Sequence, residues 1–163
     1  MVFRTATVDD IEAINNLFYE LDTGAIEMQP EHFQRGSRSF EYLSGLINDE
    51  KSDFLLAVID DEIVGFSLLF AKETANISLL VPCKYAYIQD FVVAEKYRNK
   101  GIGTALLEQS KQWARERHMD YLRLSVIPAN KDALRFYSRH GLCEQMITME
   151  CSLQTDKTSY SKT

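Results

Sequence analysis

The sequence predicts a single α/β (α+β) domain. Three observations carry that prediction: chain length, an alternating order of strands and helices, and one strand, loop and helix stretch in the middle of the chain. The 163 residues suffice for one core that buries about two thirds of the unfolded surface. Residues Tyr87 to Val93 are rich in aromatic and β-branched side chains, which favour a pleated backbone. From Thr104 to Arg117 the pattern turns helical, with Leu106, Leu107, Ser110, Trp113, Ala114 and Arg117 on one face, and Trp113 reads as core. Tyr121 to Ile127 is a further strand. Strand, helix and strand then form a unit whose two strands run parallel with a right-handed connection.

The other elements follow from local signals. Val2 to Ala6 alternates weakly and reads as a first strand. Thr7 with Asp10 three residues on is a capping-box variant that opens a helix to about Leu21, with Ile11, Ile14, Leu17, Phe18 and Leu21 as its apolar stripe. Asp22 to Gly36 holds Gly24, Pro30 and Gly36 and reads as a loop or broken helix, followed by a helix through Tyr42, Leu43, Leu46 and Ile47. Asp53 to Ile59, a turn at Asp60 and Asp61, and Glu62 to Ala71 form a hairpin. Lys72 to Lys84, with the apolar run Ile77 to Val81 and then Pro82, is open between a strand extension and a partner-facing flap. Asn130 to His140 reads as a short helix closed by Gly141, and Leu142 to Leu153 as the last strand. The domain thus spans residues 1–153, and 154–163, rich in Ser, Thr and Lys, is expected to be a disordered tail.

Composition narrows the function class. A formal charge of -6 argues against a nucleic-acid binder. Neither a signal-like N-terminus nor an apolar run of roughly 18 to 20 residues is present, so no membrane contact and a cytoplasmic location are expected. The three cysteines, Cys83, Cys143 and Cys151, have no Cys-x-x-Cys spacing and are expected to be buried thiols. His32, His118 and His140 lack metal-ligand spacing, so no metal is expected.

Between strand and helix, Arg98-Asn99-Lys100-Gly101-Ile102-Gly103-Thr104 is suited to an anion. Glycines let a ligand approach the backbone, the first helical amides have no internal partner, and the dipole end is positive. The Walker and dinucleotide patterns both fail here, since Gly103 is followed by Thr104 and position 106 is Leu. Taken alone, Arg98 to Gly103 is equally an ordinary strand-to-helix turn.

The pattern Arg-x-x-Gly-x-Gly after an aromatic and hydrophobic strand ending at Val93 resembles the acyl-CoA loop of the GNAT superfamily of N-acetyltransferases. A second stretch, Asn130-Lys131-Asp132-Ala133-Leu134-Arg135-Phe136-Tyr137-Ser138-Arg139-His140-Gly141-Leu142, is similar to the family's Asn-x-x-Ala-x-x-Phe-Tyr-x-x-x-Gly-Phe segment, with Leu142 in place of Phe. The resemblance covers essentially residues 2–153. It implies a mixed, mostly antiparallel sheet with a central splayed parallel strand pair and helices on both faces. It also implies acetyl-CoA, held by Phe91, Val92 and Val93 of the central strand, by Arg98, Asn99, Lys100, Gly101, Ile102, Gly103 and Thr104 of the loop, and by Asn130, Ala133 and Phe136. A backbone N–H near Phe91 would support a developing oxyanion. Tyr137 would be the general acid that protonates the departing sulfur.

For the base the resemblance is weaker. The polyamine-acetylating branch has a similar central strand, reading Tyr-x-Glu-Asp-Phe-x-Val, with Glu where this chain has Gln89. Gln89 is read either as the holder of a catalytic water or as a cross-strand partner. The base is then Asp90, another carboxylate or solvent. Strand alternation puts Gln89 and Asp90 on opposite faces, only one of which meets the cleft. Glu20, Asp22 and Glu27 are read as a solvated face or as an attraction for a cationic substrate.

The expected function is acetyl-CoA-dependent N-acetylation of a primary amine by direct transfer in a ternary complex, with a small amine or polyamine as first choice. A protein N-terminus or lysine is the alternative acceptor, and a non-catalytic acyl-CoA sensor the alternative class. A small-molecule amine is thus the expected partner, and a homodimer is compatible with the sequence.

Overall fold

The structure, a computed structural model, describes residues 1–154. The expected tail falls outside these residues apart from its first position. Five strands form one sheet in sequence order: β1 (Val2–Thr5), β2 (Ser52–Ile59), β3 (Glu62–Glu73), β4 (Lys84–Val93) and β5 (Tyr121–Leu124). The first four pair antiparallel and β5 runs parallel to β4, as a βαβ crossover requires. Helices α1 (Ile11–Met28), α2 (Phe40–Asn48), α3 (Ile102–Glu116) and α4 (Lys131–Arg139), with 3-10 turns at Val8–Asp10 and Glu95–Tyr97, complete the described elements.

Alternation along the strands builds two cores, one on each face. On one face Phe54, Leu56, Phe66, Leu68 and Val92 meet Ile11, Ile14, Leu17 and Phe18 of α1 and Leu43 of α2. Phe18, Phe54 and Phe66 pack edge to face there, with centroids 4.8 to 6.3 Å apart. On the other face Leu55, Leu69, Ala86 and Ile88 meet Leu106, Leu107, Trp113 and Ala114 of α3, with Phe136 and Tyr137 of α4 at the margin. Trp113 is core as expected, and its Nε1–H donates to Asp53 at 2.6 Å.

The N-terminal cap is stronger than a capping box alone. The Asp10 carboxylate accepts from the Thr7 backbone N–H and from both terminal nitrogens of Arg4, each at 2.7 Å. Arg4 first, then Thr7, holds its pKa down at about 2. A lowered carboxyl adds stability above its unfolded pKa and loses it as pH falls through the folded value. Asp10→Asn should therefore cost about 1–2 kcal/mol at pH 7, measured by denaturant unfolding, and the difference should shrink toward pH 2.

Four expectations need correction, and one segment left open is resolved. The first helix does not stop near Leu21 but continues to Met28, carrying Gly24 inside it. A mid-helix glycine costs about 1 kcal/mol. Contacts made by the following loop offset that cost: Arg38 pairs with Asp22, and Arg35 lies over the Tyr19 ring. Second, β5 ends at Leu124 instead of Ile127. Third, Leu142–Leu153 forms no strand; β5, the edge strand that a parallel unit would extend, is only four residues long and offers little ladder to a twelve-residue partner. The parallel pair consequently lies at the end of the sheet and not at its centre. Fourth, Cys143 and Cys151 ride on that unpaired segment and are exposed, while Cys83 is half-buried. The open segment, Lys72–Lys84, divides: β3 extends to Glu73, β4 starts at Lys84, and 74–83 is a loop exposing Ile77, Leu79, Leu80 and Val81.

Candidate active site

The site is built around an irregularity in β4. Leu68 of β3 stands opposite Asp90, while the next residue, Leu69, stands opposite Ile88, so Gln89 is an extra, unpaired residue. Such a bulge advances the strand by one residue and reverses which side chains face which core. Before it, Ala86 and Ile88 face α3; after it, Phe91 does, and Val92 faces α1. Asp90, opposite Leu68, is brought to the α1 face, and Gln89 is exposed at the bulge. Simple alternation from Ile88 would have put Asp90 on the α3 face; the bulge puts it on the other.

The bulge also ends the pairing of β4 with β5. Their register runs from Tyr85 and Tyr121 to Ile88 and Leu124 and goes no further. Beyond Ile88, β4 has no strand partner on that side, and an unpaired strand edge is a template for one. Below the opening, the Tyr87 hydroxyl and Ser125 Oγ lie 2.9 Å apart.

At the C-terminal end of β4 the chain passes one 3-10 turn (Glu95–Tyr97) and enters the glycine loop. Asn99 and Gly101 have positive φ, 60° and 79°, and Gly101 is the N-cap of α3. Among the described residues, no backbone N–H from Asn99 to Thr104 donates to a protein acceptor; the first that does is Ala105, to Gly101 at 3.1 Å. Ile102, Gly103 and Thr104 thus present the unsatisfied amides expected at a helix start. Gly103 is not a turn residue, since it is helical without positive φ. Its lack of Cβ matters through proximity, because a Cβ there would lie 3.6 Å from Phe136 and 3.9 Å from Val93. Arg98 braces the loop: its Nε–H donates to the Val93 carbonyl at 2.9 Å and its guanidinium lies 3.7 Å from Glu20. Lys100 likewise donates to the Lys96 carbonyl.

Across the opening, Asn130 caps α4, its Oδ1 accepting from the Ala133 N–H at 3.0 Å. Phe136 lies 6.1 Å from Phe91, and Tyr137 packs edge-on against both rings at 6.1 and 5.1 Å. Burial pushes the Tyr137 phenol above its ordinary value, so it stays protonated.

A match to the model of the acetyltransferase (GNAT) family extends over residues 12–142. The chain belongs to this family. Streptothricin acetyltransferase A of Bacillus subtilis is 46% identical over 56 residues, which cover 34% of this chain and 32% of that protein. An uncharacterised N-acetyltransferase of Archaeoglobus fulgidus is 29% identical over 142 residues, 87% of this chain and 92% of the relative. Among solved structures, a tetramutant of the BH1408 protein of Bacillus halodurans superposes with a TM-score of 0.89 at 27% identity, covering 94% of this chain and 100% of that one. The protein is therefore an acetyltransferase of the GNAT family. Among the described residues no helix is long and apolar enough to cross a membrane, and no cluster of ligating side chains suits a metal ion.

On this acetyltransferase's α1 face, three charged groups gather below the 29–39 loop. Arg38 donates from both terminal nitrogens to Asp22 at 2.9 Å each, stacks on Phe18 at 3.8 Å, and Gly36 N–H also reaches Asp22 at 3.3 Å. The Asp22 side chain is only 12% exposed, so its reading as a solvated face is overturned. Arg38 keeps its pKa low. Among the described residues Asp90 makes no such pair. Its burial raises its pKa to about 6, against a smaller lowering by Arg38 and a further increase from Asp22. A cleft of about 260 Å³, lined by Asn15, Phe18, Tyr19, Asp22 and Arg35 to Arg38, opens beside these groups. Sequence reasoning named Asp90 only as one of several bases and did not find Arg38. A bulge signal, had one been legible at Gln89, would have found the first.

Proposed function

We propose that the chain moves the acetyl group of acetyl-CoA directly to a primary amine in a ternary complex, and that the acceptor is a small cationic amine, polyamines included. One observation carries the reading. Where β4 parts from β5, a proton-bearing phenol, Tyr137, stands on one side of the strand and a half-buried carboxylate with a pKa of about 6, Asp90, on the other. A proton donor and a proton acceptor at one strand end are what amine acylation needs.

The residues fit the co-substrate. Free amides from Asn99 to Thr104 suit a pyrophosphate, and the open backbone edge at Phe91, Val92 and Val93 suits an extended chain bearing amides. Asn130, Ala133 and Phe136 form the opposite wall. Bound acetyl-CoA would supply an acetyl group activated as a thioester. Asp90 accepts the proton that an alkylamine, with a pKa near 10.4, carries at neutral pH, and Gln89 holds the water that passes it. Tyr137 holds the proton that the leaving sulfur takes. The acceptor class is supported by the unpaired Asp90 carboxylate, by the overall charge, and by a relative whose name makes streptothricin its acceptor.

An acetylation screen over amines, read by free-thiol release, tests this directly. Amine-dependent release with small cationic amines best is expected. Binding of acetyl-CoA without release on any amine would make the chain a sensor instead. The phosphate site has its own check. Acetyl-CoA at a hundred times its dissociation constant should add about 2.7 kcal/mol of stability. Gly103→Val should remove most of that gain, because valine methyl groups would press on Phe136 and Val93 at the helix start. A thermal shift that survives in a folded Gly103→Val protein would place the co-substrate elsewhere.

A further inference from the structure

We propose that Arg38 is a positioning residue that keeps Asp90 ionised as the proton acceptor, and that Asp22 sets how strongly it does so; this rests on the reading of Asp90 given above. The geometry is a cluster on one face of the sheet. Asp90 lies opposite Leu68 beneath α1, and Arg38 is clamped on two sides, by both oxygens of Asp22 and by the Phe18 ring. Phe18 packs in turn 4.8 Å from Phe66, the cross-strand neighbour of Val92 and so of the same face as Asp90. An arginine side chain only 23% exposed and held by a bidentate partner is a fixed charge, not a wandering one. It enters from the loop that also walls the cleft, so anything that shifts this loop changes the charge at the base.

Other charges around Asp90 are committed elsewhere. Glu20 of α1 accepts from the Glu95 N–H and faces Arg98 beyond the far end of β4. Arg35 donates to the Tyr19 carbonyl and Thr23 and lies on the Tyr19 ring. Lys72 of β3 sits over the Phe70 and Tyr87 rings, toward the start of β4. Tyr42 of α2 acts on Arg38 and is itself exposed. On this face Arg38 lowers the Asp90 pKa and Asp22 raises it, so the two act with opposite signs.

The opposite signs make the test specific. In the full chain, the pH dependence of kcat/KM on the best amine should show an acidic limb set by Asp90. Arg38→Met removes a cation and leaves Asp22 unpaired, so the limb should move up by on the order of one pH unit; Asp22→Asn frees Arg38 to act on Asp90 and should move the limb down. Arg38→Lys should restore most of the wild-type position. A merely structural role for the pair would loosen the loop in both variants and shift the limb in neither, or shift both alike, and either result overturns the inference. Asp90→Asn separates this from its premise. If the limb persists in that variant, the Asp90 reading fails; if it vanishes there yet stays put in Arg38→Met, only the role of Arg38 fails.

Discussion

Tyr137→Phe is expected to lower turnover on the order of 10²-fold or more while leaving acetyl-CoA binding almost unchanged. Phenylalanine fills the same space against Phe91 and Phe136, so the edge-on packing that places α4 survives. Only the hydroxyl goes. Among the described residues that hydroxyl makes no protein hydrogen bond, and the burial around it raises its pKa and keeps the proton on it. Its use arises when sulfur takes on charge, a moment absent from the docked thioester. Single-turnover thiol release and a thermal shift with acetyl-CoA measure the two quantities separately. Equal loss in both would mean that Tyr137 shapes the pocket. Unchanged turnover, with chemistry shown to be rate-limiting, would leave it as packing.

What could be read from the residues depended on how local the physics was. Two-residue alternation and helical stripes located the hairpin and α2, α3 and α4, because each pattern reports burial of its own segment. The turn at Asp60 and Asp61 was legible for the same reason, and both residues do have positive φ. The bulge at Gln89 was not, since Tyr-Ile-Gln-Asp-Phe is compatible with regular or bulged pairing and only the register with β3 decides. That one residue governs the candidate site, because it carries Asp90 from one face to the other. The clamp of Asp22 on Arg38 was hidden for a different reason: it joins a helix to a loop sixteen residues on, and no spacing rule covers such a pair. Leu142–Leu153 shows the converse. Its alternation suffices for a strand, yet a strand also needs an edge to pair with, and β5 supplies only four residues.

Asp90→Asn should remove activity and stabilise the fold together. Turnover at neutral pH is expected to fall on the order of 10²-fold or more, because an amide cannot take the proton that the acceptor must lose. The stability change has the opposite sign and follows from linkage. Burial is the main reason the Asp90 pKa rises from the ordinary carboxyl value to about 6, so the folded protein holds this proton more tightly than the unfolded chain does. Between the two values the native state binds more protons, and stability drops as pH rises through that window. Above pH 6 the full cost of a buried, unpaired carboxylate is present, on the order of 2–3 kcal/mol. An isosteric amide does not bear it. At pH 7 the Asp90→Asn protein should therefore melt several degrees above wild type, roughly 4–12 °C for a chain of this size, and the difference should fade toward pH 4, where wild-type Asp90 is protonated. A group kept at a cost to the fold is retained for what it does. If the variant melts lower than wild type at pH 7, Asp90 holds a structural contact and the assignment of the base is lost. If it melts higher but turns over normally, the carboxylate is strained without being used, and the proton leaves by way of solvent.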